Sequence, residues 1–167
     1  MSDHAQALKD IVPSKDYLVA IDSDGCVFDA MGIKQRECFC PMMIAYFGLQ
    51  PVAEAARECK DFADLFSKTR GANRHKTVMR ILTELLPLHP VVKKRDFKVP
   101  QFEHYFAWVS NPDSLLSNEG LQQAIDNATD PEAKAELEHV LKWSIRVNEM
   151  VAEVVKNVPP FVCARKP

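Results

Sequence analysis

The sequence predicts an α/β protein in which one buried strand is followed by a long, mostly helical region. Residues 17–21 form a short apolar run between charged neighbours, a pattern typical of a strand that is buried on both faces of a parallel sheet. After Asp29 the apolar residues recur at helical spacing almost to Val155. Two aspartates, Asp22 and Asp24, directly follow the predicted strand, at the end where open α/β sheets bind ligands.

Prolines, glycines and capping residues divide the helical region. Helical periodicity is found in residues 32–47, 51–68, 73–86, 100–109, 117–128 and 131–155. Pro41 must begin a new helix or kink the first one, and Gly48 ends it. Ser117 and Asp130 are predicted N-caps, and Pro131 suits the first position of the longest helix.

Length and composition exclude several classes of protein. The chain has 167 residues, of which 47% are hydrophobic and 26% are charged, as in globular domains and unlike disordered or fibrous chains. Its 21 basic and 23 acidic residues give a net charge of −2, so nucleic acid is not expected as a partner. No window approaches the roughly 20 apolar residues of a membrane span, and no signal peptide is visible. We expect a cytoplasmic protein that does not bind membranes.

The acidic segment at residues 22–29 carries the predicted chemistry. It reads Asp-Ser-Asp-Gly-Cys-Val-Phe-Asp, and Gly25 allows a sharp turn after the predicted strand. The carboxylates of Asp22 and Asp24 repel each other unless a divalent cation bridges them or one of them stays protonated. An aspartate can also attack phosphorus and form an aspartyl phosphate. One short segment therefore offers a nucleophile, an acid and ligands for Mg²⁺.

The strand and the pattern Asp-x-Asp-Gly-x-x-x-Asp resemble the first motif of the haloacid dehalogenase (HAD) superfamily, in its phosphatase branch. The resemblance implies a Mg²⁺-dependent phosphohydrolase with a Rossmannoid α/β core. Asp22 would be the nucleophile and a metal ligand, and Asp24 would be the acid/base and bind the metal through its carbonyl. Residues 31–155 stand where such enzymes insert a helical cap, between the start of the core at 1–30 and the return into it at 156–167.

Other parts of the superfamily pattern are not visible in this sequence. A strand ending in Ser or Thr, a lysine and further acids for the metal are expected after the cap, and the sequence reaches Pro167 without them. We therefore expect a truncated chain that is inactive or a very weak catalyst by itself, because phosphoryl transfer depends on positioning and charge neutralisation. An exposed core edge would favour association.

The connection at residues 67–74 is the predicted substrate-binding segment of the helical region. It offers Arg70, Asn73 and Arg74 around Gly71, and guanidinium groups suit phosphate oxygens. The expected ligand is a small phosphorylated metabolite. The alternative is an ordinary connection between two helices with solvated arginines.

Other interpretations of the acidic segment stay open. One is an incidental turn, in which case the chain is a non-catalytic helical binding or interaction domain. A sugar-phosphate mutase of the same superfamily would share Asp22 and Asp24. A calcium-binding EF-hand loop is disfavoured, because Gly25 stands at its fourth position rather than its sixth, and Ile33 replaces the glutamate at its twelfth.

Overall fold

The computed structural model describes residues 6, 9–12, 14–17, 19–22, 26–28 and 30–158, and the last of these ranges forms seven helices. Helix α1 consists of the consecutive segments Ala30–Ile33, Lys34–Phe39 (π-helical) and Cys40–Tyr46. After a 3₁₀ turn at Gln50–Val52, helix α2 consists of Ala53–Asp61 and the π-helical Phe62–Phe66. Helix α3 consists of Arg74–Arg80, Ile81–Leu85 (π-helical) and Leu86–Leu88. The remaining helices are α4 (Pro90–Lys94), α5 (Glu103–Ser110), α6 (Asn118–Asn127) and α7 (Pro131–Val155).

The predicted α/β fold is wrong for the part of the chain that the structure describes. Tyr17, Val19 and Ile21 lie in irregular backbone and are 89%, 79% and 71% exposed, whereas the prediction placed them in a buried strand. Phe28 forms an isolated β-bridge, and the described ranges contain no longer strand and no Rossmannoid core. An apolar run becomes a buried strand only where other strands pair with it and cover its faces, and the described residues next to it form bends, turns and a single bridge rather than further strands.

Local signals set the helix ends as predicted. The Asp130 carboxylate accepts a hydrogen bond from the Glu132 N–H at 3.0 Å and caps α7. Ser117 Oγ accepts one from the Gly120 N–H at 3.1 Å and caps α6. Gly48 follows α1 with φ of 65°, a conformation that glycine adopts without a Cβ penalty. These three predictions are confirmed.

Two prolines lie inside helices, each two residues after the end of a π-helical segment. The residue before Pro41, Cys40, donates its N–H to the Gln35 carbonyl five residues earlier. The residue before Pro87 does the same with the Ile81 carbonyl. A proline has no N–H, and its ring clashes with the carbonyl four residues earlier in a regular helix. The wider π turn moves that carbonyl away, so α1 continues through Pro41 and α3 continues to Leu88.

The core lies between α7 and the first three helices, with α5 closing one side. Its largest fully buried side chains include those of Trp143, Tyr105 and Phe47. The Phe47 ring contacts Trp143 edge-on at a centroid distance of 5.3 Å and Phe102 at 4.9 Å, an arrangement that aromatic pairs favour. No helix in the described ranges is both long enough and apolar enough to cross a membrane.

Predicted domains at the two ends of the chain fall only partly on described residues. The start of the core was placed at 1–30, where the structure describes short stretches, and the return into it at 156–167, of which residues 156–158 are described. The helical body at 30–158 covers the whole of the segment predicted as a cap, residues 31–155.

Gly120→Ala is expected to lower the free energy of unfolding by about 1–3 kcal/mol, because a Cβ at this position would overlap the backbone carbonyl of Leu115. Urea unfolding measures the change. Gly32→Ala in α1 is the matched control, since no described atom lies within 4 Å of its Cβ position, and it should stabilise the protein by up to about 1 kcal/mol. Equal stability of the two variants would contradict this account.

Candidate functional site

A polar cavity of about 260 Å³ lies where helices α1, α2 and α3 meet. The residues that line it are Gln35, Phe39, Lys60, Asp64, Ala72, Asn73 and Arg74. Gln35 comes five residues after Ala30, the first residue of α1. With a rise of about 1.5 Å per residue, the cavity lies roughly 8 Å along the helix from the point where the acidic segment joins it.

A buried ion pair forms one wall of this cavity. Lys60 and Asp64 are 1% and 5% exposed, and Lys60 Nζ donates to Asp64 Oδ2 and, at 3.0 Å, to Gln35 Oε1. Burial lowers the pKa of Lys60, while the charge and the hydrogen bond of Asp64 act in the opposite direction. Since an ammonium group has three N–H donors, these two acceptors leave one donor for a further acceptor.

Arg74 forms the opposite wall and ties it to the longest helix. Its Nη1 donates to Asn148 Oδ1 at 2.7 Å and to the Ser144 carbonyl at 3.3 Å, both on α7. The guanidinium lies 5.1 Å from the centroid of the Phe39 ring, and Lys60 Nζ lies 5.4 Å from the same centroid. Burial lowers the pKa of Arg74, but a guanidinium stays charged in proteins. Two cations and one carboxylate therefore face the cavity.

The three substrate-binding residues predicted from the sequence have different positions. Arg74 and Asn73 line the cavity, whereas Arg70 is exposed on the turn before α3 and is not part of the lining. Asn73 caps α3, because its Oδ1 accepts from the His75 N–H at 2.9 Å, and its Nδ2 donates to the Leu116 carbonyl at 2.9 Å. Its amide thus positions the backbone beside Arg74.

The acidic segment is described only in part. Asp22 is exposed in irregular backbone, and Asp24, the other predicted catalytic and metal-binding residue, lies outside the described residues. Among those that are described, no group of three or more His, Cys, Asp or Glu side chains is placed to hold a metal ion. The Asp22 carboxylate has the oxygen ligands that Mg²⁺ prefers, and it is accessible to solvent.

A second cavity of about 250 Å³ lies on the other side of Arg74. Amide and hydroxyl groups dominate its lining, and Ser144 Oγ donates to Asn118 Oδ1 at 2.6 Å within it. His75 lies at its edge, with Nδ1 3.0 Å from the Tyr105 hydroxyl. Burial, with a smaller contribution from the Arg74 charge, lowers the pKa of His75 to about 4, so the imidazole is neutral at pH 7.

Sequence reasoning missed Lys60, Asp64 and Gln35. The sequence nevertheless contained a signal for the buried lysine. Lys60 comes four residues after Ala56 and so lies on the apolar face of the predicted helix. A lysine on an apolar stripe with an aspartate four residues later is the pattern of a buried helical ion pair.

Comparison with known protein families, with curated proteins and with solved structures finds no match to this chain.

Lys60→Met is expected to destabilise the protein by about 3–5 kcal/mol, because it leaves the Asp64 carboxylate buried without its partner. The double variant Lys60→Met/Asp64→Leu removes both charges and should be as stable as the wild type or more stable. Urea unfolding of both variants at pH 7 tests the pair. A double variant that is less stable than Lys60→Met would contradict this description.

Acid is expected to destabilise the protein through His75. The pKa of His75 is about 4 in the folded state against 6.5 in the unfolded state, so the unfolded state binds the proton first as the pH falls. The contribution of the neutral His75 imidazole to the free energy of unfolding is fully present above pH 6.5. About 3 kcal/mol of this contribution is lost as the pH falls to 4. The free energies of unfolding of the wild type and of His75→Gln are measured from pH 7 to pH 4. The difference between the two proteins should change by that amount over this range. A constant difference between them would count against a buried neutral imidazole.

Proposed function

We propose that this chain takes part in the Mg²⁺-dependent hydrolysis of a phosphate monoester in the cytoplasm. The order of two features along the chain carries the proposal. The acidic segment with Asp22 and Asp24 leads directly into α1, and α1 brings Gln35 to a cavity that also contains the cations of Lys60 and Arg74. Acidic groups suited to phosphoryl transfer thus precede a cavity with a net positive charge, which suits an anionic small molecule.

The reaction that fits these residues has two steps. In the first, an Asp22 carboxylate oxygen attacks phosphorus, the bond from phosphorus to the ester oxygen breaks, and Asp24 protonates the departing alcohol. In the second, Asp24 takes a proton from water, the water oxygen attacks the aspartyl phosphate, and phosphate leaves with the Asp22 carboxylate restored. The carboxylates of Asp22 and Asp24 are oxygen ligands of the kind that Mg²⁺ prefers. Bound there, Mg²⁺ would neutralise negative charge on the phosphoryl oxygens.

The helical body at 30–158 binds the organic part of the substrate in this proposal. Arg74 contacts the ligand, and Asn73 holds the start of α3 beside it. Arg70, exposed on the neighbouring turn, adds positive charge near the entrance. A small phosphorylated metabolite matches a cavity of about 260 Å³.

A non-catalytic binding domain is the second candidate. It is favoured by the fact that the cavity is lined entirely by residues between Gln35 and Arg74, so that an anion can bind there without the acidic segment. In that case the chain binds phosphorylated compounds and transfers no phosphoryl group.

Asp22→Asn is expected to abolish formation of an aspartyl phosphate. The wild-type chain is incubated with Mg²⁺ and p-nitrophenyl phosphate, and hydroxylamine-sensitive phosphorylation of the peptide containing residue 22 is followed by mass spectrometry. Asp24→Asn should prolong the life of the aspartyl phosphate by roughly 10²–10⁴-fold, the usual contribution of a general base.

Two results would contradict the catalytic proposal. One is a wild-type chain that forms no aspartyl phosphate with Mg²⁺ even during an incubation long enough to detect one slow phosphorylation event per chain, and the other is phosphorylation that persists in Asp22→Asn. Binding of the phosphate ester without any phosphoryl transfer would support the non-catalytic alternative.

A further inference from the structure

We propose that the cavity between α1, α2 and α3 binds a carboxylate, so that the preferred ligand of this chain is a phosphate ester that also carries a carboxyl group. The phosphate part of this statement rests on the proposed function. The carboxylate part rests on the geometry of Lys60, Asp64, Gln35 and Arg74 alone.

The charged residues of the cavity favour an anionic ligand. Lys60 and Arg74 contribute two positive charges, and Asp64 contributes one negative charge. One positive charge is therefore left over in a partly enclosed space, where charges are screened less than in bulk water. This charge is available for an acidic group of the ligand.

The free donors of the two cations point to a planar, two-oxygen acceptor. Lys60 has one N–H beyond those given to Asp64 and Gln35. Arg74 makes its bonds to Ser144 and Asn148 through Nη1, and its Nε and Nη2 donors have no acceptor within the described ranges. A guanidinium edge matches the geometry of a carboxylate in a bidentate pair.

The two cations lie against the same aromatic ring in the cavity lining. Lys60 Nζ and the Arg74 guanidinium lie 5.4 and 5.1 Å from the centroid of Phe39. The cavity volume of about 260 Å³ is below the range of roughly 300–1,000 Å³ that is usual for drug-sized ligands. A carboxylate on a short carbon chain fits this space.

Stability alone does not account for the ion pair. Removing two charges from water costs several kcal/mol per ion, and apolar side chains of similar volume are often as stabilising or more so. The neighbouring positions Cys59 and Ala63 on the same helix are apolar and buried. A charged pair at this place is therefore better explained by a ligand that needs the ammonium group, with Asp64 holding Lys60 in position.

The test compares two phosphate esters that differ only in the predicted feature. Glycerate 3-phosphate has a carboxylate where glycerol 3-phosphate has a hydroxymethyl group. Calorimetric titration into Asp22→Asn, which removes the proposed nucleophile, measures binding without hydrolysis. We expect glycerate 3-phosphate to bind about 10- to 100-fold more tightly, the usual contribution of a hydrogen bond to a charged group.

The double variant Lys60→Met/Asp64→Leu, made in the same background, should lose most of this preference, because it removes the ammonium donor of Lys60 and leaves the net charge of the cavity lining unchanged. Lys142→Met is the matched control, because Lys142 is exposed on α7 and is not part of the cavity lining. It should keep the preference. Urea unfolding of each variant shows that the loss does not come from a misfolded protein.

Each outcome separates this inference from the proposed function. Equal affinity for the two esters, or a preference of unchanged size in the double variant, overturns the carboxylate site even if Asp22 is phosphorylated. Inorganic phosphate that competes for the cavity with the same dependence on Lys60 shows that the phosphate itself binds there, and also overturns it. A Lys60-dependent preference without any phosphorylation of Asp22 supports the carboxylate site and refutes the hydrolysis.

Discussion

The buried charge of Lys60 is the constraint around which the first three helices are arranged. An ammonium group that is 1% exposed requires hydrogen-bond acceptors within the fold, since its desolvation would otherwise cost several kcal/mol. α2 supplies Asp64 one turn later, and α1 supplies Gln35. These contacts hold α1 and α2 together at the place where Arg74 of α3 also lines the cavity. The cavity is the space that these polar groups cannot fill by themselves.

The π-helical segments make this arrangement compatible with the backbone. Gln35 and Phe39 both lie in the π-helical part of α1 and both line the cavity, so the wider turn presents them together to Lys60 and Arg74. The same segment provides the hydrogen-bond shift that lets Pro41 continue the helix. A regular α-helix would have to end or bend at Pro41. The π-helical segment thus allows α1 to continue past Pro41 and also places two residues in the cavity lining.

Local interactions were predictable from the sequence, and interactions between distant segments were not. The caps at Ser117 and Asp130 and the glycine end at Gly48 were found because each depends on neighbouring residues alone. The apolar run at residues 17–21 was interpreted as a strand because its composition matched one, but pairing of strands is a property of the whole fold. The pair of Lys60 and Asp64 is local, because the two residues are four apart on one helix, and it was overlooked. The contact of Lys60 with Gln35 spans 25 residues, and no local pattern shows which helix will supply this acceptor.

Arg74 and Lys60 differ in what a substitution at each position reveals. Arg74 connects α3 to α7 through Ser144 and Asn148, so its removal disturbs helix packing as well as any ligand contact. Lys60 has its described hydrogen bonds on α1 and α2 only, and its charge can be removed together with that of Asp64 while the volume of the pair is nearly kept. Because that double variant leaves the net charge of the cavity lining unchanged, a weaker preference for a carboxylate reports on the ammonium donor rather than on the overall charge. Substitution of Lys60 is therefore the clearer test of whether the cavity binds a ligand, although the sequence analysis predicted Arg70 and Arg74 as the binding residues.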